Sequence, residues 1–338
     1  MLKTCIVGAG AIGGMLGVQL ALAGEHVTFI SRGANLEAVR RNGLRLILDD
    51  GTESLAQPVM ATESLAEAGP QDLVILSVKA HQVPAMAQDL PVLFGPDTIV
   101  VTMQNGIPWW YFLKCQGPYQ GMRLEAVDPG GVIAAHIAVD RVIGCVAYPA
   151  AERIAPGVIR HIEGNRFSVG ELDGAETPRV KMVSELFRKA GFKAPVLTDI
   201  RSEIWLKLWG NLSFNPISAL THATLVEICR FPPTRELAAR MMAEAQAIAE
   251  KLGIHFRVSL ERRIAGAEGV GKHKTSMLQD LEQGRALELE ALVGAVVELG
   301  RITGTPTPHI DAVYACTSLL ARTVQAEKGR LRIETLGT

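Results

Sequence analysis

One short segment constrains this chain more than any other. Residues 3–8, Lys-Thr-Cys-Ile-Val-Gly, form an apolar run of strand length. Gly8-Ala9-Gly10-Ala11-Ile12-Gly13 follows at once, and the sequence from Ala11 to Leu22 then reads as helix. A bare G-x-G-x-x-G pattern is weak, but between a strand and a helix it becomes informative. The first glycine permits a tight turn, the second lets backbone approach a pyrophosphate, and the third lets helix and strand pack closely. The free N–H groups at the helix start suit a phosphate. Gly8, Ala9, Gly10, Ala11, Ile12 and Gly13 are therefore expected to bind a dinucleotide. The same run, continued to Ala23, imitates a leader peptide or a membrane span, but five glycines and Gln19 interrupt it. No other stretch approaches the ~18 apolar residues that a spanning helix needs.

Strand and helix alternate beyond this point. Apolar runs at 27–30, 73–78 and 99–103 read as strands with helical sequence between them, the pattern of a doubly wound parallel sheet. Runs at 158–162 and 166–170 read as the last two strands of that sheet, joined by a Glu-Gly-Asn turn. After a turn-rich stretch at 171–178 the chain is nearly all helical, with helices expected at 178–190, 199–222, 234–252, 276–303 and 308–326. The expected fold class is α/β, a Rossmann-like doubly wound sheet followed by an all-helical C-terminal domain. Its parts are a nucleotide-binding domain at 1–174 and a helical substrate-binding domain at 175–338. A length of 338 residues agrees with two domains at about 100–200 residues each.

Composition excludes several classes. Lys+Arg is 34 and Asp+Glu 35, for a formal net charge of −1, so no global field attracts nucleic acid or an anionic membrane. The five cysteines are scattered without C-x-x-C, and the histidines are not clustered. This pattern fits a reducing cytoplasm and predicts no metal site.

The residues after the second strand bear on cofactor choice. A carboxylate there, about 20 residues past the glycines, bonds a ribose 2′-hydroxyl and marks NAD. This chain has Ser31-Arg32 instead. Arg32 can grip a 2′-phosphate with no acid to repel it, which predicts NADPH.

In the expected helix at 199–222, apolar almost all round, Lys207, Asn211 and Asn215 recur at i, i+4 and i+8 and share one face. Buried amides and a buried ammonium need partners, and a polar substrate would supply them. An i, i+4 pair with Glu203 would explain Lys207 alone, not the two asparagines. Ser276-Met277-Leu278-Gln279 reads as a capping box, which by itself could account for Ser276. Glu288 interrupts a helical face of Leu281, Gly284, Ala291, Leu292 and Ala295. Glu290 also has apolar neighbours at helical spacing, and spacing does not choose between the two acids.

Taken in order, Gly8 to Gly13, Ser31-Arg32, Ser77-Val78-Lys79, Gln104-Asn105-Gly106, Lys207-x3-Asn211-x3-Asn215-Pro216, Ser276 and Glu288 make the chain resemble the ketopantoate reductase (2-dehydropantoate 2-reductase) family nearly end to end. The resemblance implies an NADP-dependent oxidoreductase that reduces ketopantoate to (R)-pantoate in pantothenate biosynthesis, on the coenzyme A pathway. It implies that Lys207 is the general acid and that Glu288 bonds near the substrate hydroxyl and the nicotinamide ribose. It places Asn105, Asn211, Asn215 and Ser276 on the substrate, Asn105 and Lys79 beside the nicotinamide, and Ala150 against the cofactor. The small-molecule 2-oxo acid is the expected partner. A homodimer is compatible, since long C-terminal helices either pair between subunits or build one subunit's core.

Two departures from the family pattern stand out. Leu225 lies near a position where some members carry a further substrate-binding asparagine, and the segment 108–140 is long. That segment opens Pro108-Trp109-Trp110-Tyr111-Phe112, four aromatics in succession. Either they pack the insert onto its domain, or they shape a different acceptor pocket. The rival functions are a reductase of another 2-oxo or 3-hydroxy acid of the β-hydroxyacid dehydrogenase type, and a non-catalytic NADPH-binding regulator. A regulator would need neither Lys207 nor Glu288.

Overall fold

The computed structural model describes residues 1–57 and 59–334; residues 335–338, the end of the expected helical domain, lie outside them. Eleven strands are seen among the described residues. The first six are β1 (Lys3–Val7), β2 (His26–Ile30), β3 (Leu44–Ile47), β4 (Glu53–Ala56), β5 (Met60–Thr62) and β6 (Gln71–Leu76). The others are β7 (Phe94–Thr102), β8 (Val142–Ala147), β9 (Ala150–Ala155), β10 (Val158–Glu163) and β11 (Phe167–Gly170). Seven form one sheet in the order β11-β8-β7-β6-β1-β2-β5. Its neighbours pair in parallel except β8 with β11. The chain winds outward from β1 in one direction, then from β6 in the other. The switch point, where such sheets bind ligands beyond the strand ends, therefore lies between β1 and β6. Cys5, Ile6, Val7 and residues 73–76 are all 0% exposed, as continuous apolar strands covered on both faces should be.

The expectation that 158–162 and 166–170 lie side by side is corrected. β10 joins a separate four-stranded sheet, β4-β3-β10-β9, and only β11 returns to the main sheet. The Glu-Gly-Asn turn is a crossover between sheets. Short apolar runs announce strands but not their partners. The helix α1 (Ala11–Leu22) packs on strands of both sheets. A Cβ on Gly17 would lie 2.3 Å from the Phe29 ring, and one on Gly14 would lie 2.1 Å from Ile159 Cδ1. Its glycines are contact faces as well as part of a motif.

Four further helices complete this region: α2 (Gly33–Asn42), α3 (Leu65–Ala68), α4 (Val83–Met86) and α5 (Val132–His136). Then comes α6 (Pro178–Lys189), whose Val180, Val183, Leu186 and Phe187 join the same core as Phe167 and Val169. The chain divides into two compact units. One comprises Met1–Gln104, Trp109–Arg123 and Asp128–Ile200; the other comprises Asn105–Pro108, Leu124–Val127 and the chain from Arg201 on. The division thus falls at residue 200 rather than at the turn near 174. Composition changes where helices begin, but the apolar stripe of α6 belongs to the sheet's core.

The second unit is built from α7 (Ile200–Thr221), α8 (Leu225–Arg230), α9 (Pro232–Lys251), α10 (Leu260–Gly269), α11 (Ser276–Glu282), α12 (Ala295–Ile302) and α13 (Pro308–Ala326). The helix expected at 276–303 is broken. Gly284 adopts φ +66°, its N–H donates to Leu281 O at 3.2 Å, and the Arg285 N–H donates to Asp280 O at 2.8 Å. That pair of bonds is a Schellman stop, which apolar periodicity alone passed over. Helix resumes at Leu289 and runs through one π turn, Glu290–Gly294, into α12. Val296 and Leu299 are 0% exposed, so this segment is core of its own unit. Among the described residues, no helix is long and apolar enough to cross a membrane.

The aromatic run is interior. Trp109, Trp110, Tyr111 and Phe112 are all 6% exposed or less. The Trp110 Nε1–H donates to Thr102 Oγ1 at 2.8 Å, and its ring occupies the space that a Cβ on Gly144 of β8 would need. Tyr111 and Phe112 meet edge to face at 5.0 Å. Packing therefore accounts for Trp110, Tyr111 and Phe112, while the Nε1 of Trp109 is buried with no hydrogen-bond partner among the described residues. Trp110→Ala should cost about 3–5 kcal/mol in chemical denaturation. Trp110→Phe, which keeps most of the packing and loses the bond to Thr102, should cost about 1 kcal/mol.

Candidate active site

The glycine turn is built as its sequence demands. Gly8 sits at φ +110°, and the N–H groups of Gly8 and Ala9 both donate to Ile30 O, at 3.1 and 3.2 Å. A Cβ on Gly13 would stand 2.1 Å from Ser77 Oγ and 2.4 Å from Gly8 O. Its absence lets the Ser77 hydroxyl, just past β6, donate to Gly8 O at 2.8 Å. Gly10 caps α1 with no side-chain bond, no acid lies in the first turn, and a Cβ on Gly10 would meet nothing within 4 Å. Beside Ala11 and Ile12, the start of a 12-residue helix thus faces an open cradle suited to an anion.

The neighbouring loops are tied to this turn. Ser31 is buried, and Arg32 is exposed with extended backbone just ahead of α2. The Asn35 amide nitrogen donates to Ser31 Oγ at 2.8 Å and to Ala9 O at 3.1 Å, while its oxygen accepts the Gly157 N–H at 2.9 Å. Asn35 was not singled out from sequence, although its i+4 spacing from Ser31 was a usable signal. Gln104 was named among the matching residues but given no role. Its side-chain amide donates to Leu76 O at 2.7 Å and Val78 O at 3.1 Å, holding the end of β7 to the segment leading into half-buried Lys79. Ala150 opens β9 in the second sheet, half-buried and paired with Glu163.

The polar stripe of α7 is fixed by its apolar flanks. Trp205 and Trp209 are 0% exposed, and the Trp209 Nε1–H donates to Met242 O at 2.7 Å. These anchors set the rotation of the helix. Lys207 is half-buried and donates from Nζ to Asn105 Oδ1 at 2.6 Å. Asn211 follows one turn on, half-buried. Asn215, 5% exposed, donates from Nδ2 toward Ser276 Oγ at 3.5 Å. The structure thus brings Asn105 and Ser276, distant in sequence, to this stripe.

Two readings of the sequence are corrected here. The N-cap of α11 is Thr275, whose hydroxyl accepts the Leu278 N–H at 3.3 Å. Ser276 is the first helical residue, so capping does not account for it. Glu288 does not interrupt a helical face, because it lies, itself half-buried, in the non-helical connection between α11 and Leu289. The two acids between which spacing did not choose sit differently. Glu290 is exposed and its carboxylate accepts the Tyr314 hydroxyl at 2.9 and 2.8 Å, which gives that acid a structural partner. Leu225 starts α8, and its N–H donates to His273 O at 3.0 Å, tying α8 to the approach to Ser276. No group of three or more His, Cys, Asp or Glu positioned for a metal occurs among the described residues.

The division of labour between adjacent hydroxyls is measurable. Thr275→Ala should lower stability by about 1 kcal/mol. Ser276→Ala should leave it within about 0.5 kcal/mol, with denaturant titration as the check.

Comparison with known proteins agrees with this architecture. The ketopantoate reductase PanE/ApbA family matches residues 4–112, and its C-terminal counterpart matches residues 199–321. A 2-dehydropantoate 2-reductase of Mesorhizobium japonicum is 57% identical over 97% of this chain and 99% of its own. A crystal structure from Ralstonia solanacearum, 43% identical, superposes with a TM-score of 0.91 over 96% of this chain and 99% of that one. The 2-dehydropantoate 2-reductase of Geobacter metallireducens is 27% identical, with a TM-score of 0.82 over 94% of this chain and all of that one. With both halves matched and a relative of this identity over nearly its whole length, the chain belongs to the ketopantoate reductase family, oxidoreductases that use a nicotinamide cofactor.

Proposed function

We propose that this chain reduces 2-dehydropantoate to (R)-pantoate with NADPH. The observation that carries the reading is the 2.6 Å bond from Lys207 Nζ to Asn105 Oδ1, on a helix face shared with Asn211 and Asn215. An ammonium fixed among amides, rather than turned to solvent, is what protonating a substrate oxygen requires. The relative from Mesorhizobium japonicum, a 2-dehydropantoate 2-reductase, supports the choice of acceptor.

The first unit is the cofactor domain in this reading. The uncapped N-terminus of α1, the open face at Gly10 and the absence of a first-turn acid fit a pyrophosphate. Gly8 to Gly13 would cradle it, Ser31 and Arg32 would take the 2′-phosphate, and Lys79 and Ala150 would lie along the remainder. When bound, the cofactor supplies hydride.

The second unit handles the substrate. Negative charge develops on the 2-oxo oxygen during reduction, and Lys207 Nζ stabilises it and donates a proton to it. Asn105 accepts from Nζ and so orients the ammonium. Asn211, Asn215 and Ser276 hold the carboxylate and hydroxyl groups of the substrate, and Glu288 accepts from its hydroxyl. Asn105 also borders the nicotinamide.

Two variants test this. Lys207→Ala should lower kcat about 10²–10⁴-fold with NADPH binding retained, measured by fluorescence titration; an active variant would remove the proton-donor role. Arg32→Ala should weaken NADPH binding about 10–100-fold, the worth of a charged hydrogen bond, and leave NADH binding nearly unchanged. Equal losses for both cofactors would remove the argument for a phosphate grip. Turnover of other 2-oxo acids but not of 2-dehydropantoate would reassign the substrate.

A further inference from the structure

The π turn Glu290–Gly294 has a definite chemical consequence. In an α-helix each N–H reaches the carbonyl four residues back. Here the Ala295 N–H reaches Glu290 O, five residues back. The Ala291 carbonyl is therefore relieved of that donor, and it accepts the N–H of Ile107 at 2.9 Å. Isolated π turns of this kind are rare and concentrate at functional sites.

The docking is close. A Cβ on Gly106 would stand 2.2 Å from Ala291 O and 3.0 Å from Ala291 Cβ, and Gly106 has φ +87°. Space and backbone conformation each exclude a side chain there. The π turn is fastened on its other side by Tyr314, which donates to Glu290. A Cβ on Gly294 would meet Glu290 Oε2 at 2.3 Å. Burial, then the Glu290 carboxylate, push the Tyr314 phenol up to about 12, so it remains a donor at neutral pH.

Asn105 immediately precedes this docked backbone. It stands outside any helix or strand, so the placement of its amide follows from where its neighbours are held, Gln104 by its own side-chain bonds and residues 106 and 107 by the π turn. We infer that the π turn Glu290–Gly294 is a positioning device: its released Ala291 carbonyl, received by Ile107 across Gly106, sets Asn105 and through it the direction of Lys207 Nζ. The inference rests on Lys207 as the proton donor. Gly106, Ala291 and Tyr314 are positioning residues; none is assigned to substrate or cofactor.

The test is a double-mutant cycle on the full-length enzyme. Gly106→Ala should lower kcat about 10–100-fold, the scale of a misplacement near 1 Å. It should also shift the pH at which kcat/KM changes and leave NADPH binding intact. In an Asn105→Ala background the same change should add less than about twofold, because both act through one group. Losses that multiply would overturn the inference. If Gly106→Ala does not fold, Tyr314→Phe reads the same device. It should lower kcat about three- to tenfold, with the loss absent in the Asn105→Ala background; an unchanged kcat would overturn the inference. Lys207→Ala in the same assay separates the two readings. An active Lys207→Ala removes the proton donor itself, whereas an inactive one combined with multiplying losses removes only the positioning role.

Discussion

Backbone approaching backbone, without side chains between, is the constraint on which this structure depends. In the first unit it occurs at Gly13, where any Cβ would strike Ser77 Oγ and Gly8 O, and at Gly14 and Gly17, where it would strike Ile159 and Phe29. Glycine within a helix costs about 0.5–1 kcal/mol relative to alanine, so three in the middle of α1 are a considerable expense. The close seating of that helix on strands of both sheets offsets it. In the second unit the same device recurs between Gly106 and Ala291. The glycine turn and the Asn105 turn are thus both held by contacts that any side chain would break.

The polar groups of the second unit follow a complementary rule. Buried amides and charges are tolerated when partnered, and α7 supplies partners from distant segments. Lys207 meets Asn105, and Asn215 meets Ser276. Capping work that would compete for Ser276 falls to Thr275. The carboxylate of Glu298 accepts the N–H groups of Glu125 and Ala126, both at 2.9 Å, fixing part of the long 108–140 segment on α12. Asn35, Ser77 and Gln104 do comparable work in the first unit, where each bonds a main-chain carbonyl in or beside the loops at the switch point.

Much of this was legible in residue order. The glycine turn, its strand and its helix needed only local patterning. So did the stripe of Lys207, Asn211 and Asn215, because a period of 3.6 places them on one face. The helices expected at 178–190, 199–222, 234–252 and 308–326 are found at Pro178–Lys189, Ile200–Thr221, Pro232–Lys251 and Pro308–Ala326. The stop at Gly284 was missed because an apolar stripe resumes beyond it. The second sheet was missed because β3, β4 and β9 are short, partly exposed strands whose partners lie far along the chain. Asn35 escaped notice, and Gln104 had no role assigned, because an amide among loop residues looks like any solvated one until its carbonyl partners are in place.

By itself, then, the sequence determined the class of fold, the glycine turn and the polar helix face, since these are properties of neighbouring residues and short-range periodicity. Only the tertiary structure decided which strands share a sheet, that α6 belongs to the first unit, that the aromatic run is core, and that Thr275 rather than Ser276 caps α11. It alone placed Asn105 against Lys207 and gave Glu290 to Tyr314. Each of these depends on which distant segments meet, and a linear pattern carries no record of the partner a side chain will find across the fold.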